Sequence, residues 1–149
     1  MAAAVYGLIL TGSILAASGE GERAGEILIF MVLTLTLFWA AHVYSELLSQ
    51  WATTGTAPDR HRWAAEMRRQ WPMVGVCAIP AAILLAAVVD LIKDGTAVVV
   101  ALTVCSTELA LTGFVAAKRG GGGTIARLMS AAIAFGFGVA LIVLKAILH

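Results

Sequence analysis

Long apolar runs alternate with short polar segments along the whole chain. A run of about 20 residues crosses a hydrocarbon core of about 30 Å as an α-helix. Four runs reach that length and carry few charges: 27–49, 73–92, 96–117 and 125–148. A fifth run, 2–18, is at the short end of the spanning range. The pattern predicts five membrane spans in a single transmembrane domain that covers residues 1–149.

The first apolar run has some features of a signal peptide. It ends in Ala16, Ala17 and Ser18, which loosely resemble a cleavage site. However, signal peptides begin with a basic region, and no Lys or Arg precedes this run. We therefore expect a retained first span.

The spans are expected to be helices. In lipid, backbone N–H and C=O groups need partners within their own segment, and a helix supplies them. A membrane barrel would show segments of about 10 residues that alternate in polarity, and the sequence contains none. We predict an all-α fold in which spans one and two form one hairpin, spans three and four a second, and span five follows.

Composition supports lipid as the solvent. The chain is 60% hydrophobic and 13% charged, with a mean hydropathy of +0.93, whereas soluble domains carry about 25% charged residues. Its two cysteines, Cys77 and Cys105, lie in apolar runs and form neither a disulfide framework nor a metal-binding spacing. We expect both thiols to serve mainly in packing.

The charges of the loops predict an orientation. The first loop, 19–26, is mainly acidic, whereas the loops at 50–72 and 118–124 are rich in Arg and Lys. Basic loops stay in the cytoplasm. We predict a multi-pass protein of the plasma membrane with a cytoplasmic N-terminus and an extracytoplasmic C-terminus.

The second loop contains a predicted interfacial helix at about 58–71. Pro58 suits a first helical turn, and Pro72 ends the helix. Trp63, Met67 and Trp71 recur at every fourth position on one face, surrounded by arginines. Such a helix lies in the membrane interface and contacts anionic lipid head groups, either for anchoring or for regulation. The predicted contacts are Arg60, Arg62, Trp63, Arg68, Arg69 and Trp71.

Two ionisable residues are predicted to lie deep in the membrane. His42 and Glu108 are about 8 and 10 residues from the cytoplasmic ends of spans two and four, which is about 12–15 Å of helix. Glu46 shares a helix face with His42. If spans two and four face each other, these residues form a polar seam (His42, Glu46 and Glu108). Ser49 continues the His42 face of span two, and Cys105 and Thr112 share the face of Glu108 on span four, so these three residues are also predicted to line the pathway.

Three interpretations of the polar seam remain open. Histidine titrates near neutral pH and a buried carboxylate is shifted towards it, so the seam is suited to a pathway for protons or small cations. Alternatively, it is a hydrogen-bonded contact that fixes helix packing. As a third possibility, its side chains bind a transition metal, with water completing the site. We assign no resident metal and no cofactor.

Other polar residues in the spans predict pairing or packing. Asp90 and Lys145 lie near outer helix ends, and Glu46 and Arg127 near inner ends, so two ion pairs are predicted. Pro80 is expected to kink span three. Small residues that recur every fourth position on span five allow close helix contacts on two faces, which suggests a homo-oligomer. They include Ser130, Ala134, Gly136 and Gly138.

Enzymatic motifs are missing from the sequence. It has no nucleophile elbow, no HExxH and no dinucleotide fingerprint, and we predict a protein that is not an enzyme. Its one basic stretch is short and tied to the membrane, which argues against nucleic-acid binding. The leading hypothesis is a homo-oligomeric channel or transporter for protons or small cations. The alternatives are an accessory subunit of a larger membrane complex and a transporter of divalent transition metals.

Three segments carry a resemblance to other proteins. Segments 38–47, 68–72 and 144–149 resemble small hypothetical integral membrane proteins of high-GC Gram-positive (actinobacterial) bacteria. The resemblance implies a bacterial inner-membrane protein and brings no activity with it.

Overall fold

The structure, a computed structural model, describes residues 2–19, 21–121 and 123–148. Within this part of the chain there are helices and no strand, so the all-α prediction is confirmed. The helices, in chain order, are α1 (Ala2–Ala17), α2 (Ala24–Thr54), α3 (Arg60–Gln70), α4 (Pro72–Gly75), α5 (Ala78–Val88), α6 (Asp94–Arg119) and α7 (Thr124–Leu148).

Three helices are long and apolar enough to cross a membrane: α2, α6 and α7. A fourth candidate span consists of the segments Arg60–Gly75 and Ala78–Val88, which are bent by 52° relative to each other. The shorter α1 is also apolar. These apolar helices are compatible with a membrane location, and they amount to three or four candidate spans.

The centre of the bundle is α1, which packs against α2, α4, α6 and α7. Leu8, Thr11 and Leu15 have no exposed surface. Most of α1 is buried, as expected for a helix that is apolar on nearly every face, whereas Tyr6 and Ala17 are exposed. At Gly7 the α1 backbone approaches α4 so closely that a Cβ atom would overlap the Met73 carbonyl oxygen.

Both cysteines attach neighbouring helices to α1. The Cys77 Sγ lies 2.8 Å from the Thr11 hydroxyl oxygen, and the Cys105 thiol donates to the Leu8 carbonyl at 3.0 Å. Both side chains are buried and free of disulfides. Each thiol therefore combines packing with a weak hydrogen bond.

Small residues bring α6 and α7 into close contact. The Ser130 hydroxyl donates to the Gly113 carbonyl at 2.9 Å, and Ala134 lies beside the same glycine. One turn further, Gly138 lies against Ser106, where a Cβ atom would meet the serine hydroxyl oxygen at 2.7 Å. Gly136 is exposed on another face, and a Cβ there would meet nothing within 4 Å.

The third apolar run is broken rather than continuous. The helix is interrupted at Val76 and Cys77, four residues before Pro80. A proline ring clashes with the carbonyl group four residues earlier, and this explains a break at that place. Pro80 itself lies in the first turn of α5, where backbone N–H groups have no intrahelical partner.

Two helix ends differ from their predicted positions. The helix α3 begins at Arg60, because the Asp59 carboxylate caps it by accepting from the Arg62 backbone N–H at 2.9 Å. The predicted start at Pro58 is therefore wrong by two residues. The helix α2 continues past the predicted end at Ser49 as far as Thr54, and Gly55, with φ 68°, ends it in the left-handed conformation.

Candidate functional site in the groove between α1 and α2

His42 contacts α1 rather than Glu108. Its imidazole lies 5.5 Å from the Tyr6 ring, measured between ring centroids. No hydrogen bond or ion pair joins His42 to Glu108. The reason is the helix order: α1 packs against both α2 and α6, and direct contact between α2 and α6 is slight. The structure therefore does not form the predicted polar seam between spans two and four.

Glu108 lies on α6, one turn after Cys105, and its side chain is partly buried. Its Oε2 atom is buried and has no hydrogen-bond partner among the described residues. The Thr112 hydroxyl donates to the Glu108 backbone carbonyl at 2.7 Å, within α6 itself. Of the predicted pathway residues, Cys105, Glu108 and Thr112 thus form a separate group on α6.

The metal interpretation also lacks its geometry. Within the described part of the chain, no group of three or more His, Cys, Asp or Glu side chains is arranged to hold a metal ion. His42, Glu46 and Glu108 are the residues that the interpretation requires. In this chain alone they do not form such a site.

Glu46 belongs to a charged cluster that joins α2 to α3. Arg69 Nη2 lies 2.9 Å from the Glu46 Oε1, and Arg69 Nε lies 3.0 Å from Glu66. The Gln70 amide donates to the same Glu66 carboxylate at 2.7 Å. The hydrogen bond with Glu66, together with the charges of both carboxylates, raises the pKa of Arg69.

Sequence reasoning missed this cluster. It assigned Arg69 to lipid head groups and predicted a pair of Glu46 with Arg127, and it did not foresee the ion pair of Arg69 with Glu46. A usable signal was present, because Glu66 and Arg69 are three residues apart on a helix and can pair. The contact with Glu46 depends on how α3 folds back on α2, and spacing does not reveal it.

Lys145 binds the backbone at the C-terminal end of α1. Its ammonium group donates to the Ser18 carbonyl at 2.7 Å, and it lies 3.4 Å from the Ser18 hydroxyl oxygen. A cation at a helix C-terminus binds carbonyl groups that lack intrahelical partners. Among the described residues no ion pair joins Lys145 to Asp90, so the predicted outer-end pair is not formed.

Asp90 has a role in ending α5. It has a φ of 59°, in the left-handed region. Its N–H donates to the Ala87 carbonyl at 2.9 Å, and the Leu91 N–H donates to the Ala86 carbonyl at 3.0 Å. These two bonds form a Schellman motif with Asp90 in the place that glycine usually occupies.

A groove runs between α1 and α2. Its inner part, of about 220 Å³, is bordered by His42, Tyr6, Phe38 and Ser13. Its outer part, of about 520 Å³, is bordered by Ser13, Ser18, Glu22, Glu26 and Phe30. Ser13 borders both parts, and we call the two together the α1–α2 groove.

The α1–α2 groove carries titratable groups at both ends. His42 lies in the inner part and forms no hydrogen bond with any described residue, so no described side chain occupies its ring nitrogens. Glu22 and Glu26 border the outer part. On α2, Glu46 follows His42 by four residues and lies on the same face of the helix.

The predicted head-group residues are mostly exposed. Arg60, Arg62 and Arg68 make no ion pair with any described residue, and their side chains are exposed. Trp63 and Trp71 are exposed as well. Trp71 also makes an edge contact with Trp39 of α2, with 6.0 Å between ring centroids.

Comparison with known protein families, curated proteins and solved structures finds no match for this chain. The functional argument therefore depends on the geometry of the molecule.

Proposed function

We propose that the protein is a homo-oligomeric membrane protein that passes protons or small cations along the α1–α2 groove. The observation that carries this proposal is the environment of His42. A titratable side chain without a hydrogen-bond partner in the described chain borders a groove whose other end has two carboxylates. Ionisable groups within membrane helices are costly and usually serve a function.

The membrane arrangement that suits this function has five spans. They are α1, α2, the broken α4–α5 pair, α6 and α7, with α3 in the cytoplasmic interface. The central place of α1 supports its role as a span, because the candidate spans surround it. With the N-terminus in the cytoplasm, Glu22 and Glu26 lie outside, and Glu46 lies on the inner side.

The chemistry of the groove suits cations. Carboxylates at a cleft mouth concentrate cations by focusing the electrostatic field. The Ser13 side chain, on the boundary between the two parts, offers an oxygen, although its proton already donates to the Ile9 carbonyl at 2.8 Å. Histidine as a residue type changes charge at about pH 5 to 8, so a histidine that borders the groove is suited to relaying protons along it.

Oligomer formation is proposed from the surface of α7. One face of this helix is used within the chain, where Gly138 lies against Ser106. Gly136 is on another face that is exposed and has open space around it. Small residues on such a face allow another helix to approach closely.

A flux measurement in liposomes tests the transport proposal. The purified protein is reconstituted, a pH gradient is applied, and internal pH is followed with a trapped dye for the wild type and His42→Gln. We expect the variant to lose proton flux by about tenfold or more, because glutamine has no group that titrates near neutral pH. Glu108→Gln is the matched control, since it removes a titratable group outside the groove and is expected to retain flux.

The outcomes separate the hypotheses. Equal flux in the wild type and His42→Gln, with both variants correctly folded by circular dichroism, would overturn the pathway. Loss of flux in Glu108→Gln alone would move the pathway to α6. A wild-type protein that passes neither protons nor Na⁺ nor K⁺ would favour the accessory-subunit hypothesis.

A further inference from the structure

The outer surface of α3 is both basic and aromatic. Arg60, Arg62 and Arg68 are exposed, and Trp63 and Trp71 are 38% and 58% exposed. The one acidic residue within the helix, by contrast, is hidden: the Glu66 side chain is 5% exposed and is paired with Arg69. The helix therefore presents positive charge and aromatic rings together, and the exposed carboxylate of Asp59, at its N-terminal cap, is engaged by the Arg62 backbone N–H.

We infer that α3 is a binding surface for the head groups of anionic phospholipids, and that this binding holds the α3–α4 segment against the His42 face of α2. The second part rests on the proposed function. Positive side chains near a membrane surface attract anionic lipids, and tryptophan side chains prefer the level of the head groups. A helix that carries both on the outside, next to candidate membrane spans, fits a lipid surface.

Two contacts connect this surface to the groove. Arg69 binds Glu46 at 2.9 Å, and Trp71 contacts Trp39 with 6.0 Å between ring centroids. Trp39 and Glu46 flank His42 on α2, three residues before it and four after it, so all three share one helix face. The contacts from α3 and its end thus bracket His42 on both sides.

The following segment reaches the groove itself. Met73, in α4, borders the inner part of the groove together with His42. Beyond α4 the helix breaks at Val76 and Cys77, and the chain bends by 52° into α5. A shift of α3 on the membrane surface would therefore move Met73 relative to His42, with the break serving as the place of bending.

Lipid binding is tested with a variant that keeps Trp63 as the only tryptophan, with Phe replacing Trp39, Trp51 and Trp71. It is reconstituted in two kinds of vesicle with the same ratio of phosphatidylcholine to phosphatidylglycerol. In one kind the phosphatidylcholine has brominated chains, which quench tryptophan fluorescence, and in the other kind the phosphatidylglycerol has them. We expect stronger quenching from brominated phosphatidylglycerol at equal composition. Replacing Arg60, Arg62 and Arg68 with Gln should weaken the preference by about fivefold for each arginine.

The control replaces exposed cations of other loops, Arg23→Gln with Lys93→Gln, and should leave the preference unchanged. Equal quenching by both lipids would overturn the inference, and so would suppression of the preference by soluble glycerol phosphate, which would point to a small anion as the ligand. If the single-tryptophan variant does not fold, lipid binding is tested by thermal unfolding of the wild-type chain in nanodiscs. Phosphatidylglycerol should raise its Tm, and the triple arginine variant should lose that rise.

The connection to the groove is tested without any transport measurement. Replacing the chain's other histidines, His61 and His149, with Gln leaves His42 as the only histidine, so the ultraviolet absorbance of N-carbethoxyhistidine reports its modification by diethyl pyrocarbonate. We expect modification to be about fivefold slower in vesicles with phosphatidylglycerol than in phosphatidylcholine alone, because docking holds the segment over His42. Arg69→Gln should remove this difference while the preference for the anionic lipid remains.

Equal modification rates in both vesicles would overturn the connection and leave lipid binding intact. Since neither experiment measures flux, a failure of the proposed transport function would be seen separately in the liposome assay.

Discussion

At the scale of single residues, several charged residues hold helices together or end them. Arg69 lies between Glu66 and Glu46, Lys145 binds the end of α1, and the backbone of Asp90 ends α5. His42 has no hydrogen-bond partner among the described residues, and the same holds for the buried Oε2 atom of Glu108.

Replacing Arg69 is expected to destabilise the protein. Arg69→Met leaves the buried Glu66 carboxylate with Gln70 as its remaining partner, and an unpaired charged group costs about 1–3 kcal/mol. The cost belongs to the lower part of this range, because the Arg69 side chain is 59% exposed and its pairs are screened by water. Unfolding in detergent measures it, and Arg68→Met, an exposed neighbour without an ion pair, is the control.

The pH dependence of this contribution follows from the raised pKa of Arg69. A raised pKa in the folded state stabilises the fold at every pH below the strongly basic pKa of the unfolded chain and loses its effect only as the pH rises through the folded-state pKa. The loss of unfolding free energy in Arg69→Met is therefore expected to be constant from about pH 7 to about pH 9. A deficit that changes in this window would show that another group titrates with the cluster.

Asp90 is expected to tolerate glycine well. The left-handed conformation costs a residue with a Cβ about 1 kcal/mol, and glycine avoids that cost. Asp90→Gly should therefore raise the free energy of unfolding by about 0.5–1 kcal/mol, and Asp90→Val should lower it by at least as much. Loss of stability in Asp90→Gly would instead support an ion pair of Asp90.

At the scale of helices, close packing depends on small residues at particular contacts. Gly7 allows α1 to reach α4, and Gly113 allows α7 to reach α6. Between membrane helices, close packing of small residues contributes stability that hydrophobicity does not, since lipid is equally apolar.

Two glycine substitutions test this packing. In Gly7→Ala the new methyl group overlaps the Met73 carbonyl, and such overpacking costs about 1–3 kcal/mol. In Gly95→Ala, the matched control in the first turn of α6, the methyl group meets nothing within 4 Å, so stability should be unchanged or slightly higher. Unfolding in detergent compares the two, and equal effects would contradict the close contact of α1 with α4.

At the scale of the whole molecule, the open question is the number of membrane crossings. Five spans place the ends of α1 on opposite sides of the membrane. Four spans, without α1, place both ends on the same side. Because α1 is short, the number of crossings depends on whether this helix spans the membrane.

Labelling from each side of the membrane determines the arrangement. In a background with Cys77→Ala and Cys105→Ala, we expect Glu22→Cys to react with an impermeant maleimide from outside. Thr56→Cys should react only after the cell is opened. An epitope tag placed ahead of Met1 should be accessible only from the cytoplasm. A tag exposed on the outside together with Glu22 would show that α1 does not cross.

The apolar runs allowed prediction of the helices because hydropathy is a property of each segment by itself. All five apolar runs contain helices. The charged segment 50–72, which separates two of these runs, contains the separate helix α3. The break before α5 followed from Pro80 for the same local reason. The start of α3 was missed, because capping by Asp59 depends on side-chain geometry that competes with the preference of Pro58 for a first turn.

The sequence by itself determined the helical fold, the apolar segments and the charged residues that stand out within them. Only the tertiary structure decided the partners of those residues: Tyr6 for His42, Arg69 for Glu46 and Ser18 for Lys145. The physical reason is that lipid accepts apolar helices in any order, so hydropathy does not specify which helices are neighbours. That order is set by shape, at contacts such as Gly7 with Met73, and it places α1 between His42 and Glu108.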